Sequence, residues 1–285
     1  MTTTDPDGAT VARLRAAGCV FAEDEARLLV EAAGTPEELH ELTRRRLLGE
    51  PLEVILGWAE FCGLRIVVEP GVFVPRQRTT YLVEQAVAVA RPGAVVVDLC
   101  CGTGAIGAAV AARVPGVRLH ACDVEPASVR CARRNLEPIG GHVHEGDLYA
   151  ALPAGLRGAV DVLVVNAPYV PTDEIAMMPP EAREHEPLVA LDGGVDGVEV
   201  HRRVAEGAAR WLAPGGRLLI ETGEGQAAWT AAAMSAHGLV ATTSTSDEWY
   251  CTVAVGRRMD GLRPPAEDHP FRQRTRPGSP TQPST

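Results

Sequence analysis

Val160-Asp161-Val162-Leu163-Val164-Val165-Asn166-Ala167-Pro168-Tyr169 is the stretch on which the fold of this chain turns. A β-branched run of this length, closed by a proline-containing turn, spells a buried strand. Asn166, Ala167, Pro168 and Tyr169 then fall on the loop at its carboxyl end, the side on which open α/β sheets bind ligands. A side-chain amide, a backbone carbonyl ahead of a proline and an aromatic face match a planar amino group. They offer two acceptors for its N–H bonds and a ring to pack against it. Taken alone, Asn-x-Pro-Tyr fits an ordinary strand exit equally well, so the surrounding chain has to decide.

On both sides of this stretch, strands and helices alternate as in a parallel, doubly wound sheet. The pattern predicts strands over 94–99, 117–122, 142–145 and 217–221 and helices over 80–90, 126–136, 198–212 and 226–237. Two closing strands, 240–245 and 250–255, are near enough in sequence to form a hairpin. The loop 170–197 is rich in Pro, Asp and Gly, too long to be a mere connector, and is expected to cover the site.

Gly102-Thr103-Gly104-Ala105-Ile106-Gly107 follows a strand and opens a helix, which fits the dinucleotide fingerprint by spacing. Asp98, at the end of the same strand, counts against a pyrophosphate and suits a cationic ligand. S-adenosylmethionine carries an ammonium and a sulfonium, and its carboxylate can use the free N–H groups at the helix start. Asp123 ends the next strand, where a carboxylate accepts ribose hydroxyls in nicotinamide enzymes as well. Asp147 is placed to accept from an adenine amino group, with Leu148 beside the ring. Each aspartate separately also fits a helix cap or a solvated turn. Three carboxylates, each just past a strand of one sheet, are much harder to attribute to chance.

The first 55 residues read as short helices separated by Gly18 and Gly34, the third opening on the capping box Thr35-Pro36-Glu37-Glu38. The β-branched runs 64–68 and 72–74, split by Glu69-Pro70-Gly71, predict a hairpin between this helical part and the sheet. Beyond Arg258 the chain turns to Pro, Arg, Ser, Thr and Gln, a composition that predicts a disordered tail over 259–285. Lysine is absent, and the formal charge of -10 offers no general attraction for phosphate backbones, which counts against a nucleic-acid partner. Seven cysteines without ligand-like spacing argue for reduced thiols in a cytoplasmic protein and imply no metal. No apolar segment is long enough to span a bilayer.

Several blocks resemble the protein-glutamine N-methyltransferases that modify peptide chain release factors. They are Leu48-Gly49-Glu50-Pro51-Leu52, Gly71-Val72-Phe73-Val74-Pro75-Arg76, Asp98 to Gly104, Asn166 to Tyr169, Glu186 to Gly194 with Asp196-Gly197, and Glu221-Thr222-Gly223. The resemblance implies a Rossmann-like class I methyltransferase sheet over 80–258, a helical substrate-recognition domain over 1–55 and a β-hairpin linker over 56–79. It also implies S-adenosyl-L-methionine as cofactor, held by Cys100, Cys101, Gly102, Thr103, Gly104, Asp123, Leu148 and Asn166, and a release factor as partner. Three departures stand out. Ala167 replaces the first proline of the family's Asn-Pro-Pro-Tyr, Cys100 replaces a loop glycine, and Gln77-Arg78-Thr79-Thr80 stands where the family has Pro-Glu-Thr-Glu. A carbonyl is all that the Ala167 position needs, and Pro168 restricts it to extended conformations.

The residues therefore predict an N-methyltransferase acting on a side-chain amide, with Asn166 and the Ala167 carbonyl as acceptors and Tyr169 against the amide plane. The same motif suits the amino group of a nucleobase or a small metabolite. A non-catalytic adenosylmethionine-binding scaffold is the alternative of a different class.

Overall fold

The computed structural model describes residues 6–259. Helices α1 (Pro6–Ala16), α2 (Ala22–Ala32), α3 (Pro36–Leu47) and the short α4 (Leu52–Leu56) form the amino-terminal part. Leu14, Ala22, Ala26, Leu29 and Ile55 make its small core. Thr35 caps α3 by accepting from the Glu38 N–H at 3.1 Å, and Pro36 takes the first helical position. Arg46 pairs with Glu25 at 2.7 Å between helices, with both side chains largely covered.

The hairpin lies one run earlier than the sequence predicts. Strands β1 (Trp58–Phe61) and β2 (Leu64–Val67) pair across Cys62 and Gly63, both at positive φ, the backbone that a two-residue hairpin turn demands. Residues 72–74 are not a strand, because Pro70 and Pro75 lack donors and the Val74 N–H is given to the Glu186 carboxylate at 3.3 Å. This extended segment instead lines the site.

Helix α5 (Thr80–Val89) leads into a seven-stranded sheet of order β5-β4-β3-β6-β7-β9-β8. Its strands are β3 (Val95–Leu99), β4 (Arg118–Asp123), β5 (His142–Glu145), β6 (Val160–Val165), β7 (Leu212–Thr222), β8 (Leu239–Ser246) and β9 (Cys251–Arg258). All neighbours from β5 to β7 are parallel, and β9 pairs antiparallel with both β7 and β8. The closing hairpin expected from sequence is therefore present. Strand β7 starts five residues earlier than predicted, with a register shift against β6 that carries it through Pro214-Gly215-Gly216.

The uninterrupted apolar runs of β3 and β6 follow from burial on both faces. Val96, Val162 and Val164 pack toward α5, α6 (Ala105–Arg113) and α7 (Pro126–Leu136). Val97, Leu99, Leu163 and Val165 pack toward α9 (Glu199–Trp211) and α10 (Ala227–Ala236). Strand order reverses between β3 and β6, so the loops leaving these two strands face each other across the crevice where doubly wound sheets bind ligands. Among the described residues, no helix is long and apolar enough to cross a membrane. The tail expected over 259–285 falls, apart from Met259, outside the described residues.

Candidate active site

One cavity of about 630 Å³ lies over the carboxyl ends of β3, β4 and β6. Cys100, Cys101, Gly102, Thr103, Asp123, Asp147, Leu148, Asn166, Ala167, Pro168 and Tyr169, all singled out in sequence, line it. Asp98 and Gly104 do not. Gly104 sits beneath the loop, where an added Cβ would meet Leu136 at 2.8 Å.

Asp98 corrects the expectation that it faces a cationic ligand. It is fully buried and accepts from the Gly107 N–H at 2.9 Å, inside the first turns of α6. Burial pushes its carboxyl up to about 8, so at neutral pH it is largely uncharged, and the electrostatic argument against a pyrophosphate loses its basis. This bond ties β3 to the start of α6, and the other carboxyl oxygen has no partner among the described residues.

At the β3–β4 end, backbone groups shape the cavity. Cys100 stands at φ 57, in the left-handed region that favours glycine, and turns the chain out of β3. Burial raises its thiol well above the usual range, so no thiolate faces the cavity. The Cys101 N–H donates to the Cys122 carbonyl at 3.0 Å, which ties the loop to β4. Asp123 accepts from Gly102 N–H at 2.9 Å and Glu125 N–H at 3.0 Å, one bond on each oxygen. Each oxygen keeps a lone pair for a diol. Asp147 lines the cavity, but its carboxylate receives the Arg203 guanidinium at 2.5 Å, a partner the sequence did not suggest.

At the β6 end, side chains do the shaping. The Asn166 amide nitrogen lies 3.5 Å from the Thr79 hydroxyl, at the limit of a hydrogen bond, and no described residue takes its Oδ1. Ala167 is buried, 2% exposed, so its backbone is tightly packed. The Tyr169 hydroxyl lies 3.3 Å from Glu221 and receives an Arg78 N–H at 2.5 Å. Gln226 donates to the Tyr169 carbonyl at 2.9 Å. Burial raises both the Tyr169 and the Glu221 pKa, and one Glu221 oxygen has no partner.

The long loop closes over this end, in keeping with its expected covering role. It carries α8 (Pro180–His185), and its residues Met178 and Leu188 to Asp192 line the cavity. Gly193 N–H and Val170 N–H exchange bonds with Val170 and Leu191 carbonyls, each near 3 Å, which pins the loop to the Asn166 exit. Glu186, buried, takes the Arg76 guanidinium at 2.6 Å and anchors it to the segment before α5.

Several lining residues escaped the sequence reading as site residues: Phe61, Phe73, Arg76, Arg78, Thr79 and Leu188 to Asp192, with Glu186 and Glu221 beneath them. Most belong to the quoted blocks, so the signal lay in the blocks, while their chemistry waited on proximity across 52 to 112 positions.

A methyltransferase small domain model matches residues 63–178. A release factor glutamine methyltransferase of Geobacter sulfurreducens is 42% identical over 197 residues, covering 67% of this chain and 68% of that protein. The chain belongs to the release factor glutamine methyltransferase family. It is an S-adenosylmethionine-dependent N-methyltransferase. The 4-amino-L-phenylalanine/4-methylamino-L-phenylalanine methyltransferase of Streptomyces pristinaespiralis is 39% identical over 214 residues, 73% of each chain. A methyltransferase structure from Pyrococcus furiosus shares the fold at 18% identity, with a TM-score of 0.53 over 69% of this chain and 90% of that one. The family's cofactor fits the donor set here: a doubly bonded carboxylate for a diol, a glycine loop at a helix start, and room for an adenosyl group.

Proposed function

We propose that the protein methylates the side-chain amide of a glutamine in a peptide chain release factor. One observation carries the reading: Asn166 and Tyr169 line the same cavity as Asp123 and Leu148, so an acceptor nitrogen and an adenosyl cofactor meet there. Asp123 would accept the ribose hydroxyls, the N–H groups of residues 101–104 would receive the carboxylate, and Leu148 would flank the adenine. When bound, S-adenosylmethionine supplies an electrophilic methyl group on its sulfonium.

An amide nitrogen is a poor nucleophile because its lone pair is delocalised, so the protein's task is orientation. Asn166 Oδ1 and the Ala167 carbonyl accept the two N–H bonds, and the Tyr169 ring packs on the amide plane. Arg78, Glu221 and Gln226 hold Tyr169 in place. Holding reacting groups in this way accounts for up to about 7–11 kcal/mol in favourable cases. The helical part, joined to the loop by Arg46 and Glu181 at 3.5 Å, would receive the protein acceptor.

Incubation with release factor and methyl-labelled cofactor, followed by mass spectrometry, should find the added methyl on a glutamine nitrogen. Label on a backbone or lysine position, or none with cofactor bound, would refute the assignment. A second reading has its own support: the arginine at 78, the apolar walls Phe61 and Phe73, and the relative named for 4-amino-L-phenylalanine favour an aryl amine of a free amino acid. The same assay with that amine distinguishes the two.

A further inference from the structure

The acceptor half of the cavity contains two arginines, and they are not equivalent. Arg76 meets the buried Glu186 at 2.6 Å and rests over the Phe73 ring at 4.9 Å, which ties it to the covering loop. Arg78 also meets a buried carboxylate, but more loosely. Its Nε lies 3.4 Å from Glu221 and one Nη2 proton goes to the Tyr169 hydroxyl, which uses one edge of the fork. Its Nη1 has no partner among the described residues, and the side chain is about half exposed while lining the cavity. A guanidinium is a planar fork of five donors, and its free edge matches the two oxygens of a carboxylate.

We propose that Arg78 is a specificity-determining residue that receives a carboxylate of the methyl acceptor, so that this protein selects an acidic acceptor. The bound carboxylate lies beside Tyr169, on the same side of the cavity as Asn166, and its distance from the methylated nitrogen sets the acceptor's length. Glu221 and Tyr169 hold the guanidinium at the cavity wall, which limits the rotamer entropy lost on binding. The proposal rests on the N-methyltransferase reading, and the carboxylate has two sources: a free amino acid, or an acidic neighbour of the glutamine in a protein.

The test uses two matched pairs of probes with the full chain, saturated with the demethylated cofactor product for calorimetry and with S-adenosylmethionine for turnover. One pair is 4-amino-L-phenylalanine and its carboxamide; the other is a glutamine peptide with an adjacent glutamate and the same peptide with glutamine there. At least one carboxylate probe should bind roughly tenfold to a hundredfold tighter than its neutral partner, as charge-assisted hydrogen bonds imply. In Arg78→Gln the ratio should fall to about one, with partial recovery in Arg78→Lys. The pair that shows the preference identifies the source.

Equal binding within both pairs in the wild type overturns the proposal, as does failure of every carboxylate probe to bind. An Arg78→Gln protein that weakens acid and amide alike shows Arg78 acting only as a support for Tyr169, and overturns it too. Cofactor affinity, measured alongside, reports on the parent reading: a protein that binds no S-adenosylmethionine fails as a methyltransferase, whereas one that binds it without carboxylate preference fails only here.

Discussion

The two ends of the cavity are built from different materials. Around β3 and β4, the contacts are backbone N–H groups on the Asp123 carboxylate and a loop turned by positive φ at Cys100. Around β6, they are side chains from distant segments: Arg78 and Thr79 before α5, Glu221 at the end of β7, Gln226 before α10. A backbone-built end depends little on which side chains its loop carries. A side-chain-built end is retuned by one substitution, which is why Arg78 matters at its position.

The contrast makes the strongest forecast at Asn166. Asn166→Ala should lower turnover by about 10²–10³ at saturating cofactor, the effect of removing one preorganised hydrogen bond, with little change in melting temperature. A variant that is less stable but fully active would instead mark Asn166 as a turn residue. The complementary change is Asp123→Ala, which should weaken cofactor affinity by roughly tenfold to a hundredfold while leaving the saturated rate nearly intact. Calorimetry with the demethylated cofactor product reads the first and steady-state kinetics the second; a rate loss without an affinity loss would erase the division between the ends.

Gly197 tests how firmly the covering loop supports the acceptor end. It stands at φ +73, and an added Cβ would lie 2.4 Å from the Tyr169 carbonyl and 2.2 Å from Gln226. Gly197→Ala should therefore cost about 1–3 kcal/mol of stability and slow turnover without changing cofactor affinity, measured by thermal melts and calorimetry. Unchanged melting and rate would show the loop to be loosely seated.

A pH slope comes from beneath the other end. Asp98 titrates near 3.9 in an unfolded chain and at about 8 in the fold. Between those values the folded state keeps a proton that the unfolded state has lost, so stability falls as pH rises through that window. Asp98→Asn should flatten the fall in melting temperature over that range. Some slope should remain, because burial also raises Glu186 and Glu221. Identical slopes in variant and wild type would mean that Asp98 is not held neutral.

The sequence by itself determined the sheet. Apolar runs at 94–99 and 160–165, the helix at 126–136 and the closing hairpin are local patterns, because burial on both faces and capping are written into neighbouring residues. It also placed Asn166, Ala167, Pro168, Tyr169, Asp123 and the glycine loop on strand exits, since a strand's end is visible in one dimension. It misplaced the β1–β2 hairpin: Pro70-Gly71 is the stronger turn signal, yet the donor of Val74 is taken by a carboxylate 112 positions away. Only the tertiary structure decided that Asp98 is sealed under the loop and that Asp147 meets Arg203. It alone brought Arg78, Tyr169 and Glu221 together. Backbone propensity acts between neighbours along the chain, whereas the charge state and free edge of a side chain depend on groups that folding alone brings within a few ångströms.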